Sequence, residues 1–436
     1  MNAGNRLVSP LAPVDIARRI RTLAMARQAA LVFVSSLFLN IGGFVFHAIA
    51  SRSLGVARYG QLYALISACT IVMLPIGLAS PVIARFAAEF AVLHDRSHVR
   101  AMTVDVGRFF GVVGIAGIVI ASALARPIGT FLHLPVWTIP AIAGISAFAL
   151  LNAGFRAVAQ GTQDFGTFAG SVCAEGAGKV LALVALLSLG FGLAGGVAGF
   201  ACGALAGFAV IAALFVRRYA GVAARSIRYD WKRIALSGIA AAAVTVTVTL
   251  VGNVDVLVVK HFFSAAQAGL YSAAALGGKI MFYFVGFIPT VLLPQVTERH
   301  VRGERTRHAL LLATALFAVI AVCGIAGVKL FGLTLLHVLV GHAFDAAQGL
   351  LVGYTIAMLL LALIGLLAAY GIATHRLAFA APLLAGTVAT LLSVFTFHAS
   401  LAQVVDVLVA GMGVTALLVA GALAWQGWRS TQCASS

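Results

Sequence analysis

Apolar runs close to twenty residues long alternate with short polar segments along almost the whole chain. A helix needs about 20 mostly apolar residues to cross the hydrocarbon core of a bilayer. On that ruler the pattern predicts about twelve spans, centred near Leu39, Met73, Gly117, Ala147, Val180, Cys202, Thr247, Phe282, Val319, Leu360, Thr387 and Val414. The first run, Ala29 to Ala50, exceeds the roughly 7–15 residues of a signal-peptide core and reads as the first span. Before it, Ile16, Ile20 and Leu23 interleave with Arg18, Arg19 and Arg21 at helical spacing. That pattern fits either a basic amphipathic helix lying on the membrane or a plain basic tail.

Composition agrees with the pattern. Hydrophobic residues make up 62% of the 436, charged residues 9%, and the mean hydropathy is +1.07. Soluble domains carry about 25% charged residues. The net charge of +17 could suggest nucleic acid, but its placement argues otherwise. Of the 29 basic residues, 22 fall in the segments on one side of the predicted spans. The other side holds Arg52, Arg58, Arg126, Lys260 and Lys329, and Lys179 and Lys279 lie within spans. The positive-inside rule then puts both termini in the cytoplasm, and nucleic acid is not an expected partner. The five cysteines are scattered without a C-x-x-C, so neither a disulfide framework nor a metal site is expected.

A shift of 209 positions lays Ala57 on Ala266, Gly60 on Gly269, Ala64 on Ala273 and Glu89 on Glu298. The turn RSLGVARYGQLY overlies HFFSAAQAGLYS, and each opens a Pro-broken helix: Pro75 and Pro81 in one copy, Pro289 and Pro294 in the other. Six spans separate the copies, so the repeat is parallel, about an axis along the membrane normal. The expected fold class is an all-α polytopic membrane protein of two six-helix bundles around a central cavity. The expected boundaries are a cytoplasmic segment 1–28 and a first lobe 29–216. A basic loop 217–233, a second lobe 234–427 and a tail 428–436 follow.

The turn SLGVARYGQLYAL and the segment NVDVLVV…AGLYSAA resemble signatures of bacterial polysaccharide-biosynthesis membrane proteins. These are the O-antigen flippase-like members of the multidrug/oligosaccharidyl-lipid/polysaccharide (MOP) superfamily. The local motifs cover Ser53 to Glu89 and Asn253 to Glu298, and the likeness in layout covers most of the chain. The resemblance implies a non-enzymatic transporter of the bacterial inner membrane. Its substrate would be an undecaprenyl-diphosphate-linked oligosaccharide for O-antigen, capsule or exopolysaccharide, and its partners membrane lipids and polysaccharide polymerase or other assembly proteins. The lipid II flippase branch usually has two further helices, which the span pattern of this chain does not lead us to expect. The rival reading is an ion-coupled multidrug or cation antiporter of the same superfamily.

Few charges lie at span depth, where each costs about 2.5–3.5 kcal/mol on insertion scales and marks a candidate site. Glu175 and Lys179, one turn apart, can pair with each other or face a cavity. Lys279 has no acidic neighbour one turn away; it either lines the cavity or pairs with Asp255 on another helix. Asp255 matches an acidic position common in the family's seventh helix; it is either an ion site or a tie between helices. Arg85 and Arg156 close spans and read as topology anchors or as diphosphate ligands at the cytoplasmic mouth. Substrate-binding candidates are therefore Lys179, Lys279, Arg85 and Arg156; coupling or charge-pair candidates are Glu175 and Asp255. No cofactor is expected, and Gly278-Lys279 and Gly178-Lys179 lack Walker spacing, which leaves proton or sodium coupling as the energy source. Gly195, Gly199, Gly203 and Gly207 predict a close-packing face. His47, His337, His342 and His398 fall near the outer surface without metal-ligand spacing.

Overall fold

The structure, a computed structural model, describes residues 13–92, 96–223, 239–302, 304 and 306–433. The described residues contain helices and no strand. The first half holds α1 (Pro13–Val72), α2 (Leu74–Val92), α3 (Arg96–Ala123), a short α4 (Ala125–Phe131), α5 (Thr138–Gly161), α6 (Phe165–Ser188) and α7 (Gly192–Arg218). The second holds α8 (Ile239–Val251), α9 (Val254–Phe262), α10 (Ala265–Val285), α11 (Phe287–Val301), α12 (Arg307–Leu339), α13 (Gln348–Ala373), α14 (Ala380–Thr396) and α15 (Leu401–Cys433). Twelve segments among the described residues are long and apolar enough to cross a membrane. This is an all-α, multi-pass membrane protein. The side chains of the N-terminal Ile/Arg pattern and most of the basic stretch 217–233 lie outside the described residues.

The expected polar turn after the first span is a helical hairpin with almost no loop. Gly55 alone leaves helical geometry, at φ 71° and ψ 172°. A positive φ is readily adopted only by glycine. His47 and Tyr63 show that the chain reverses there: their ring centroids are 5.4 Å apart. Sixteen residues of straight helix would separate them by about 24 Å. The matching turn in the second half is built differently. Phe263 is extended, and Ser264 caps α10 in a capping box with Gln267. We call this the kink end and the opposite end, which carries Arg85, Arg218, Arg302 and Arg376, the basic end.

Both Pro-broken helices are interrupted. The first breaks at Met73, between α1 and α2, and the second at Gly286, between α10 and α11. The second break falls about one turn beyond the position a strict 209-residue shift would give it. Pro81 and Pro294 then sit inside α2 and α11. The repeat also marks where the halves meet. A Cβ on Gly60 would lie 2.6 Å from the backbone N of Gly269, and one on Gly269 would lie 2.0 Å from the carbonyl O of Val56. Equivalent positions of two repeats touch each other where a two-fold axis passes between them. Only glycine allows backbones this close.

The glycine stripe of α7 packs on α6 as expected. Gly199 faces Leu183, Gly203 faces Lys179 and Glu175, and Gly207 faces Glu175 and Asn152. One apolar core, including Tyr59, Leu62, Tyr271 and Phe344, is shared by both halves. A second, with Ile83, Val99 and Phe215, belongs to the first half, and a third, with Val296, Ala309 and Tyr370, to the second.

Candidate functional site

A cavity of about 610 Å3 lies between the halves. Both arms of the α1 hairpin line it, through Asn40, Gly43 and His47 on one and Tyr63, Ser67 and Thr70 on the other. Glu175 and Lys179 of α6 face it from the first half; Thr249, Asn253, Lys279 and Met358 face it from the second. A smaller void of about 150 Å3, lined by Cys69, Ile145 and Ala204, shares Thr70, Glu175 and Lys179 with it. Lys179 and Lys279 thus enter one space from opposite halves.

Local structure explains each placement. α7 lies tight on α6 through its glycines, which leaves the Lys179 ammonium pointing towards α1; a Cβ on Gly43 would be 3.8 Å from its Nζ. Among the described residues Lys179 has no ion pair. Lys279 Nζ donates to Asn253 Oδ1 at 3.4 Å and lies 5.2 Å from the centroid of the Tyr63 ring. That is cation–π distance, and Tyr63 belongs to the other half. Asn253 stands where α8 and α9 are interrupted, and its side chain donates to Thr249 O. Irregular backbone at membrane depth is tolerated where it lines a polar space.

The carboxylates are engaged elsewhere. Glu175 pairs with Arg156 at 2.8 Å rather than with Lys179. Arg156 reaches from α5 and also donates to Ser171 Oγ, whose hydroxyl in turn donates to Gly207 O. Spacing puts Glu175 and Lys179 on one helix face, but this cross-helix network decides the partner. Asp255 is fully buried. Its Oδ2 accepts from the hydroxyls of Tyr271 (2.8 Å) and Tyr354 (2.9 Å), tying α9 to α10 and α13, while Oδ1 has no hydrogen-bond partner among the described residues. Asp255 and Lys279 form no ion pair within 4 Å. The wall of the cavity therefore carries two ammonium groups, and the nearest carboxylates are already hydrogen-bonded or paired.

Arg85 is exposed towards the basic end, where it pairs with Glu89 on its own helix at 3.3 Å, and it does not line the cavity. His47 lines the cavity, its Nδ1 3.3 Å from the Tyr59 hydroxyl. Charge alone did not point to Tyr63 or His47, which are neutral residues in apolar runs. Their proximity to the turn at Gly55 is the one sequence signal that could have found them.

No protein-family model matches the chain, and no curated protein matches it in sequence. Solved structures do resemble it in fold. A multidrug-resistance transporter of the MATE family, from the MOP superfamily and in an inward-facing conformation, superposes with a TM-score of 0.72. That alignment has 13% identity over 92% of this chain and 95% of the other. The lipid II flippase MurJ, in an inward closed conformation, gives a TM-score of 0.67 at 13% identity, covering 90% of this chain and 87% of MurJ. A MATE transporter in complex with MaD3S gives 0.60 at 15% identity, covering 94% and 97%. The fold is similar to that of these MATE-family transporters and of MurJ.

Proposed function

We propose that the chain flips a lipid-diphosphate-linked oligosaccharide across the bacterial inner membrane, for surface polysaccharide synthesis. One observation carries this reading: Lys179 and Lys279 face one cavity from opposite halves while Glu175 and Asp255 are held by Arg156 and by two tyrosines. The physical task is to take a diphosphate and hydrated sugars through about 30 Å of hydrocarbon. Fixed ammonium groups offset the desolvation of the phosphates, and the prenyl tail stays in lipid. Rocking of one half against the other would present the site to each side in turn. A cationic drug would need a free carboxylate on the wall, which disfavours the antiporter reading.

In this reading the termini and the basic end are cytoplasmic and the kink end periplasmic. Membrane lipids surround the chain, and polysaccharide polymerase or other assembly proteins are its partners. Coupling to protons or sodium is part of the proposal.

The test is export of surface polysaccharide by Lys279 variants at native protein levels. A charge-assisted hydrogen bond to phosphate is worth about 1.5–3 kcal/mol, so Lys279→Ala should weaken substrate binding about tenfold or more. Lys279→Arg should retain part of the function, and Lys279→Glu should be worse than Ala. Normal export by Lys279→Glu would overturn the reading. Glu175→Gln sharpens it: releasing Arg156 should leave anionic substrate bound at least as well.

A further inference from the structure

At the kink end α12 stops at Leu339, and the chain turns through Gly341 (φ 96°) into a short 3-10 helix, His342–Ala347. On an unbroken helix, residues five apart point to different faces. The turn cancels that: the rings of His337 and His342 come to 3.8 Å between centroids. Asp345 completes the group, with its Oδ1 2.7 Å from His337 Nε2. The nitrogen and carboxylate donors of His337, His342 and Asp345 all lie within 4.8 Å of one another. Zinc bonds of about 2.0–2.2 Å in a tetrahedron set donor atoms roughly 3.3 Å apart. Small side-chain rotations, available to His342 and Asp345 because both are exposed, close the difference.

The same turn is the grip between the halves. Arg52, beside the Gly55 hairpin, donates to the carbonyls of His337 (2.7 Å) and Val338 (2.9 Å). Its stem lies 3.3 Å from where a Gly341 Cβ would stand, and Phe344 meets the Tyr59 ring edge-on at 5.5 Å. The carbonyls that Arg52 holds therefore belong to the segment that carries the ligands.

We propose that His337, His342 and Asp345 form a binding site for a divalent transition metal, with Zn2+ the best fit, and that its occupation stiffens the clamp Arg52 makes between the halves. Two imidazoles and one carboxylate are donors suited to zinc, and three protein ligands leave a fourth position for water. The proposal stands apart from the transported substrate, since the central cavity is not involved.

The experiment uses the untagged full-length chain in detergent, stripped with chelator and titrated with ZnCl2 by calorimetry. We expect one saturable site per chain and a rise in thermal unfolding temperature. Altering even an outer-shell partner of a metal costs about 10–100-fold in affinity, so His342→Ala should lose at least that much and Asp345→Asn should also weaken binding. Size-exclusion profiles check that the variants remain folded. Coupling between sites is reciprocal, so Arg52→Lys, which keeps the charge but loses the second guanidinium nitrogen that anchors the group to Ala48 O, should weaken zinc binding several-fold. A wild-type chain with no saturable site, or affinity unchanged in both His342→Ala and Asp345→Asn, overturns the metal site. Unchanged affinity in Arg52→Lys overturns the coupling to the clamp.

Discussion

The two ends of this molecule are held together in opposite ways. At the kink end the ties cross between halves: Arg52 to the His337 and Val338 carbonyls, Lys260 to His133 O, His261 to Phe131 O, and the backbone contact of Gly60 with Gly269. At the basic end the ties between described residues stay within a half. Arg218 holds Asp164, Arg96 donates to Arg218 O, Thr306 bonds the Tyr370 hydroxyl, and Arg302 pairs with Glu298. Towards that end α2 still packs on α8, where Gly77 faces the Thr245 methyl, but that is an apolar contact. The second and third apolar cores each belong to one half. Polar and backbone contacts that need fixed geometry fix the relation of the halves at one end. A contact of methyl and methylene groups can slide, which suits the proposed rocking about the clamped end.

The strongest test of that contrast is Gly269→Ala. The new methyl would sit 2.0 Å from a carbonyl oxygen, so backbone must move. Overpacking typically costs about 1–3 kcal/mol, occasionally more. We expect a lower unfolding temperature and faster hydrogen–deuterium exchange in residues 56–60 and 265–269. Wild-type exchange there would mean that the glycine contact does not hold the halves.

Arg52→Ala comes next. It removes the two charge-assisted hydrogen bonds between the halves and a third to Ala48 O, worth about 1.5–3 kcal/mol each when buried and less here because Arg52 is exposed. Exchange should rise on both sides of the clamp, around Gly55 and around Gly341, while the basic end stays unchanged. A rise confined to one side would show the halves are not joined through this side chain.

Arg218→Ala should do less, about 1 kcal/mol or below, as partly exposed pairs do. Its effect should appear in the α6–α7 end of the first half, without change at the kink end. Kink-end exchange responding to Arg218→Ala would break the comparison outright. The smallest change is expected from Gly349→Ala, whose Cβ would meet nothing within 4 Å; unfolding should shift by no more than about 0.5 kcal/mol. It controls for generic effects of adding a methyl to a glycine near the kink end.

The sequence by itself determined the class of this protein. Twelve apolar runs and sparse charge leave no other solution than helices in a bilayer, because lipid cannot satisfy open backbone groups. Gly60 and Gly269, which a shift of 209 positions lays on each other in the sequence, touch in the structure. The glycine stripe of α7 was legible because a four-residue spacing of small residues marks one helix face. Tertiary structure alone decided partners. Glu175 takes Arg156 from another helix, Asp255 is closed in by Tyr271 and Tyr354, and Lys279 meets Tyr63 across the half-boundary. It also decided that one residue, Gly55, makes the whole turn, and that His337 and His342 share a surface although five residues apart. Periodicity reports which face of a helix a residue occupies. It carries no information on which other helix lies opposite that face, and in the membrane a charge is defined by what lies opposite.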